Sequence, residues 1–206
     1  MKKKPVIVFG VANRTSVILD ILEKNDFLVY GILEDDNQHQ GTSLGIIPVL
    51  GKTDEAQFIE LLNEDCLAFI AYDDIAQYRQ LFQRLRKRYV DPPLMNVIAP
   101  EVSLPKRMEM GVGNFMQPYA CFGTGVILGS HTYIGFHSVI EHDAVVEDFV
   151  HIDSRVTIGP SVRIHSGVDI GPNVIIAPGI TVGEGAQIKP NTFLQEDAAP
   201  YAVIGG

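Results

Sequence analysis

Every sixth residue from Ile98 onward is apolar: Ile98, Leu104, Met110, Met116, Phe122, Leu128, Ile134, Ile140, Val146, Ile152, Ile158, Ile164, Ile170, Ile176, Val182, Ile188 and Leu194. In a chain of 206 residues that is 46% apolar, an unbroken series of this length is a chance event on the order of 10⁻⁵, so the period is real. The position four residues further on is restricted as well, to mostly small or β-branched side chains such as Ala120, Val126, Thr132, Ser138 and Ala144. Two inward positions in every six fit neither a helix face nor an alternating strand; they fit one short flat side of a coiled β-solenoid. Three sides make a coil, so the series encodes a stack of triangular coils with no insertion. Gly, a residue that accepts backbone angles others avoid, follows the large apolar position at 111, 123, 129, 135, 159, 171 and 183.

The repeat stops short of the first half, and composition shifts with it. Residues 1–97 hold 12 of the 15 Leu, whereas residues 98–206 hold 14 of the 19 Gly and 26 of the 43 Val and Ile. Leu favours helices, Val and Ile strands, and Gly turns. Two domains follow: 1–97, mixed α/β, and 98–206, nearly pure β. In the first, Val6 to Gly10 reads as a buried strand, Thr15 to Lys24 as a helix, Phe27 to Leu33 as a strand, Thr53 to Glu64 as a helix capped by Thr53, Leu67 to Ala71 as a strand, and Ile75, Tyr78, Leu81, Phe82, Leu85 and Tyr89 as the inner face of a third helix. Such alternation gives a small, Rossmann-like parallel sheet with a ligand crevice at the strand ends. The loop Gly10-Val11-Ala12-Asn13-Arg14-Thr15 has a single Gly and is no dinucleotide fingerprint. Arg79, Arg84, Arg86, Lys87 and Arg88 read as the solvated face of the third helix.

A net charge of -9 leaves no basic surface for nucleic-acid phosphates or anionic lipid. Cys66 and Cys121, without CxxC spacing, fit a reducing compartment. Lys2 to Lys4 ahead of the short Val6–Ala12 run do not make a signal peptide, because Asn13 and Arg14 end the run before a cleavage site. No run is long enough to span a bilayer, and a cytoplasmic location is expected.

The hexads resemble the hexapeptide-repeat acyltransferases, whose β-helix is left-handed. Tyr30-Gly31-Ile32-Leu33-Glu34-Asp35-Asp36, then Gly45-Ile46-Ile47-Pro48-Val49-Leu50-Gly51, resembles the N-terminal domain of the sugar acyltransferases related to sialic acid O-acetyltransferases and nucleotide-amino-sugar N-acetyltransferases. Val139-Ile140-Glu141-His142-Asp143 and Val150-His151-Ile152 resemble that family's catalytic stretch. The resemblance implies an acetyl-CoA-dependent sugar N- or O-acetyltransferase serving surface-glycan synthesis, working as a homotrimer on a small-molecule, nucleotide-linked sugar acceptor, with acetyl-CoA as co-substrate. It makes Asn13, Arg14, Glu34, Asp35 and Asp36 the acceptor-binding residues and aligns His151 with a position that contacts acetyl-CoA; a solvated corner histidine is the alternative. The rest of the coenzyme should run along Gly159, Ser161, Pro172, Ala177, Gly179 and Thr181, where small side chains also suit plain coil packing.

Acyl transfer needs a base near neutral pKa, a partner to orient it, and donors for the oxyanion. His142 lies between the inward Ile140 and Ala144 and should project from the coil. Asp143, or failing that Glu141, would hold its tautomer. Three departures bear on this reading. Asn13 and Arg14 replace a Gly and a His of the family's first loop, and Asp73-Asp74-Ile75 replaces Gly-Asp-Asn, setting two carboxylates where a pyrophosphate would lie. Pro160 stands where the family often has a Gly N–H facing the thioester, which leaves Ser161 or another group as the oxyanion donor. A metal enzyme resembling γ-class carbonic anhydrases is suggested by His137 and His142, five apart, but position 101, where a third histidine would stand, is Glu; no metal ligand is assigned. A silent sugar-binding scaffold on the same fold is the other alternative.

Overall fold

A computed structural model describes residues 4–62 and 66–205. Lys2, Lys3, Glu64 and Gly206 lie outside the described residues. The chain divides into two compact units, Met1–Val97 and Ile98–Gly206.

The first unit is built on a five-stranded sheet. Its strands are β1 (Val6–Phe9), β2 (Val29–Leu33), β3 (Ser43–Leu44), β4 (Ile47–Gly51) and β5 (Leu67–Ile70), in the order β3-β4-β2-β1-β5. Only the β3–β4 pairing is antiparallel. All four residues of β1 are fully buried, as a central parallel strand requires. Helix α1 (Thr15–Lys24) buries Ile18, Ile21 and Leu22. The helix expected from Thr53 shrinks to α2 (Ala56–Ile59), whose N-cap is Glu55. Thr53 caps nothing, because its hydroxyl donates to Asp35 at 2.8 Å. Helix α3 (Ile75–Arg88) buries Tyr78, Leu81 and Leu85, while Ile75, expected inside, is 46% exposed.

The second unit is a three-sided coil of parallel strands. Face one stacks Met108–Met110, Val126–Leu128, Val145–Val146, Arg163–Ile164 and Thr181–Val182. Face two stacks Val97–Ile98, Phe115–Met116, Tyr133–Ile134, His151–Ile152, Asp169–Ile170, Gln187–Ile188 and Val203–Ile204, and face three stacks Cys121–Phe122, Val139–Ile140, Thr157–Ile158, Ile175–Ile176 and Phe193–Leu194. Partners such as Ile140 and Ile158 stand eighteen residues apart, three hexads to the coil. The sixfold apolar series from Met116 to Leu194 is buried throughout and forms one continuous core. Leu104, at the open first coil, is 42% exposed. The last coil is two residues shorter, pairing Gln187 with Val203.

None of the seven glycines after the large apolar position turns its corner with a positive φ. The left-handed residue comes two positions later and recurs every sixth residue from Gly113 to Asn191, through Tyr119, His131, His137, Asp143, Phe149, Arg155, Ser161 and Asn173 among others. The seven glycines answer to space instead. A Cβ at Gly123 would lie 2.8 Å from the carbonyl carbon of Glu141 on the next coil, closer than atoms can pack.

Candidate active site

His142 and Asp143 follow strand Val139–Ile140 at the corner between faces three and one. The inward Ile140 and Ala144 anchor the corner in the core, so the residues between them face out. The imidazole Nδ1 lies 2.9 Å from Asp143 Oδ2, with the two side chains 53% and 65% exposed. Of the two carboxylates left open by the sequence, the structure pairs Asp143, not Glu141, with the ring. Asp143 takes a φ of 60°, which swings its carboxylate back alongside its neighbour. Gly125 on the preceding coil makes room: a Cβ there would collide with Asp143 Oδ1.

The corner continues along the stack through Gly159–Ser161 and Ala177–Gly179. Asp143 N–H donates to Thr124 O, Ser161 N–H to His142 O and Gly179 N–H to Pro160 O, each at 3.0 Å. Gly159 and Ala177 donate to Ile176 O and Leu194 O, and Pro160 and Pro178 have no N–H. The amides of Gly159, Ser161, Ala177 and Gly179 are therefore all engaged within the coil. Ser161 cannot offer an amide to an oxyanion; its exposed hydroxyl is what it has left.

Four of the residues expected along the coenzyme, Gly159, Ser161, Ala177 and Gly179, share this corner with His142, and Thr181 begins the adjoining strand on face one. Pro172 stands at a different corner, between faces two and three. His151 lies on face two, where its ring meets Tyr133 edge-on with centroids 4.6 Å apart and its Nδ1 lies 3.5 Å from Asp169 Oδ1. Within one chain, His142 and His151 are on different sides of the coil. So are His137 and His142, for His137 stacks on Tyr119 at the corner between faces two and three. No group of three His, Cys, Asp or Glu among the described residues could hold a metal ion.

In the first unit, the acidic run after β2 is engaged by other loops and by α3. Glu34 is buried: Oε2 accepts Val11 N–H at 2.6 Å, and Oε1 accepts Asp36 N–H at 3.0 Å and the Tyr72 hydroxyl at 3.3 Å. It thus joins the loops after β1 and β2. Burial, first, and then the Glu34 and Asp35 charges hold the Tyr72 phenol above its usual pKa. Asp35 binds Thr53 and Arg84, whose hydrogen bonds and charge outweigh burial and hold its carboxyl below the usual range. Asp36 accepts Gln38 N–H. The Asp73-Asp74 pair is also accounted for. Asp73 faces Arg14 at 3.4 Å and accepts Asn13 N–H, and Asp74 caps α3 by accepting Gln77 N–H at 2.8 Å. The basic face of α3 is solvent-facing, though Arg88 reaches Glu60 and Arg84 reaches Asp35. Sequence reading missed the Asp74 cap, whose Asp-x-x-Gln spacing carried the signal.

A three-sided parallel coil with six-residue sides, preceded by a small α/β sheet, is the architecture of the left-handed parallel β-helix proteins. Solved structures share it over nearly the whole chain. The acetyltransferase domain of PglB from Neisseria gonorrhoeae FA1090, in complex with acetyl coenzyme A, has a TM-score of 0.86 at 20% identity, covering 99% of this chain and 97% of that one. WeeI from Acinetobacter baumannii AYE has a TM-score of 0.83 at 18% identity, covering 99% and 97%. PerB from Caulobacter crescentus, in complex with CoA and GDP-perosamine, has a TM-score of 0.72 at 19% identity, covering 97% and 92%. No family model and no curated protein matches the chain.

Proposed function

We propose that the chain is an acetyl-CoA-dependent acetyltransferase that acylates an amino or hydroxyl group of a nucleotide-linked sugar in surface-glycan synthesis. The observation that carries this reading is the His142–Asp143 pair, an exposed imidazole whose Nδ1 is engaged by a carboxylate 2.9 Å away. That contact fixes the proton on Nδ1 and leaves Nε2 as a base for the acceptor's N–H or O–H. The carboxylate then stabilises the imidazolium formed as the acceptor attacks the thioester. The shared fold supports the reading, since PglB's domain was solved with acetyl coenzyme A and PerB with CoA and GDP-perosamine.

In this reading the coenzyme lies along the His142 corner, Gly159, Ser161, Ala177 and Gly179 give it room, Ser161 Oγ serves the oxyanion, His151 and Pro172 contribute from a neighbouring copy, and the α/β unit receives the acceptor. Face three supports assembly as a trimer, because its outward Ile175 and Phe193 are 48% and 56% exposed. Cys66 and Cys121 form no disulfide, which suits a cytoplasmic site of action. Among the described residues no helix is long and apolar enough to cross a membrane. One observation favours a second reading: the Gly159, Ser161, Ala177 and Gly179 amides, all engaged within the coil, would suit a silent sugar-binding scaffold. Acetyl-CoA at 100 times its Kd should stabilise an acetyltransferase by about 2.7 kcal/mol. A thermal melt that does not move with saturating acetyl-CoA would favour the scaffold.

A further inference from the structure

A second histidine–carboxylate pair lies at the corner between faces one and two. His165 Nδ1 stands 2.9 Å from Glu147 Oε1, and Glu147 Oε2 accepts the backbone N–H and the hydroxyl of Ser166 at 3.1 and 3.2 Å. Both carboxylate oxygens are thus held by donors, which places the proton of the neutral ring on Nδ1 and gives Nε2 a lone pair. The pair is about a third exposed, less open than His142 and Asp143. His165, but not Glu147, also lines an open-sided cavity of about 550 Å³, with Thr181, Glu184, Asp197 and residues 198–200.

The cavity has a cause in the fold. The left-handed corner residue that recurs every sixth position fails at Asp197. The shortened coil brings Ala198 opposite Val182, with Asp197 Oδ1 accepting Thr181 N–H at 2.8 Å. The lining therefore offers hydrogen-bond acceptors: a ring nitrogen of His165, the Glu184 carboxylate and the second oxygen of Asp197. The rest of the lining is Gly183, Ala198, Ala199 and Pro200, with Thr181. No lysine or arginine lines it.

We infer that this cavity is a second ligand site, separate from His142, for a small hydroxylated primary ammonium compound. The ammonium meets Glu184 and Asp197, and a ligand hydroxyl donates to His165 Nε2. An anion or a coenzyme phosphate would face three acceptors and no donor charge.

The test is an NMR titration of the full chain with glucosamine near pH 7, where its amine is mostly protonated, following the ring protons of the six histidines. The signal absent from His165→Ala identifies that residue. It should shift saturably with glucosamine and at least roughly tenfold more weakly with the uncharged N-acetylglucosamine, as loss of a charge-assisted contact requires. Glu184→Gln, an exposed change that leaves the coil intact, should weaken glucosamine by about the same factor. A shift confined to other histidines, equal binding of the two sugars, or unchanged affinity in Glu184→Gln would overturn the assignment. None of these outcomes depends on whether His142 catalyses acetyl transfer.

Discussion

At His142 the proposed chemistry depends on which nitrogen carries the proton. Asp143 sets this through a single 2.9 Å contact, so Asp143→Asn should lower kcat by about 10- to 100-fold while leaving acetyl-CoA binding intact. A steady-state comparison reads the split between kcat and KM. Ser161→Ala should lower kcat by a similar factor of about 10 to 100, because the amides of Ser161 and of its neighbours Gly159 and Gly179 are engaged in the coil and do not replace the hydroxyl. His131 offers a test of stability. Burial pushes its pKa from 6.5 down to about 4, against the opposing pull of Asp148. The unfolded chain therefore takes up a proton that the folded chain refuses, so this contribution is intact above pH 6.5 and is lost as pH falls toward 4. With the ring partly open to solvent, the loss is on the order of 2 kcal/mol. His131→Phe, which keeps the stack on Phe149, should flatten the fall in urea-unfolding stability between those values; parallel curves would refute the assignment.

At the scale of the element, the corners show what a repeat can and cannot reveal. The sixfold apolar series was legible because every member has the same job, burial in one core. The corner conformation was not, because the left-handed position holds Tyr, His, Asp, Phe, Arg, Ser and Asn as well as Gly, and the coil's own hydrogen bonds impose it. The glycines that stood out mark where the next coil comes too close. Gly123→Ala should thus cost about 2 kcal/mol and displace His142, lowering activity as well as the melting temperature. Arg155→Gly at a φ of 59° should instead stabilise by about 0.5–1 kcal/mol, since it relieves a left-handed residue at a modest entropic cost. Denaturant unfolding of both variants separates the two kinds of glycine position. In the α/β unit, pattern reading found β1, β2 and β5 and the first and third helices but not β3 and β4, and Thr53 looked like a cap only because its long-range partners, Asp35 and Arg84, were invisible in the local sequence.

At the scale of the whole molecule, the fold follows from the hexads and the parallel α/β alternation, whereas the ligands do not. The carboxylates expected to bind an acceptor are largely engaged by other groups of the α/β unit, and His142 and His151 come to different sides of one chain. A trimer should therefore be the active form, with a mass near three times 22.6 kDa by light scattering. Charged replacements of Ile175 and Phe193 together should shift the chain toward monomer and lower turnover. The central claim is tested most directly by thiol release from acetyl-CoA with a panel of nucleotide-linked amino sugars, comparing the parent chain with His142→Ala. The account predicts turnover with at least one acceptor and a loss of about 10²- to 10⁴-fold in the variant; equal turnover in the two proteins would contradict it.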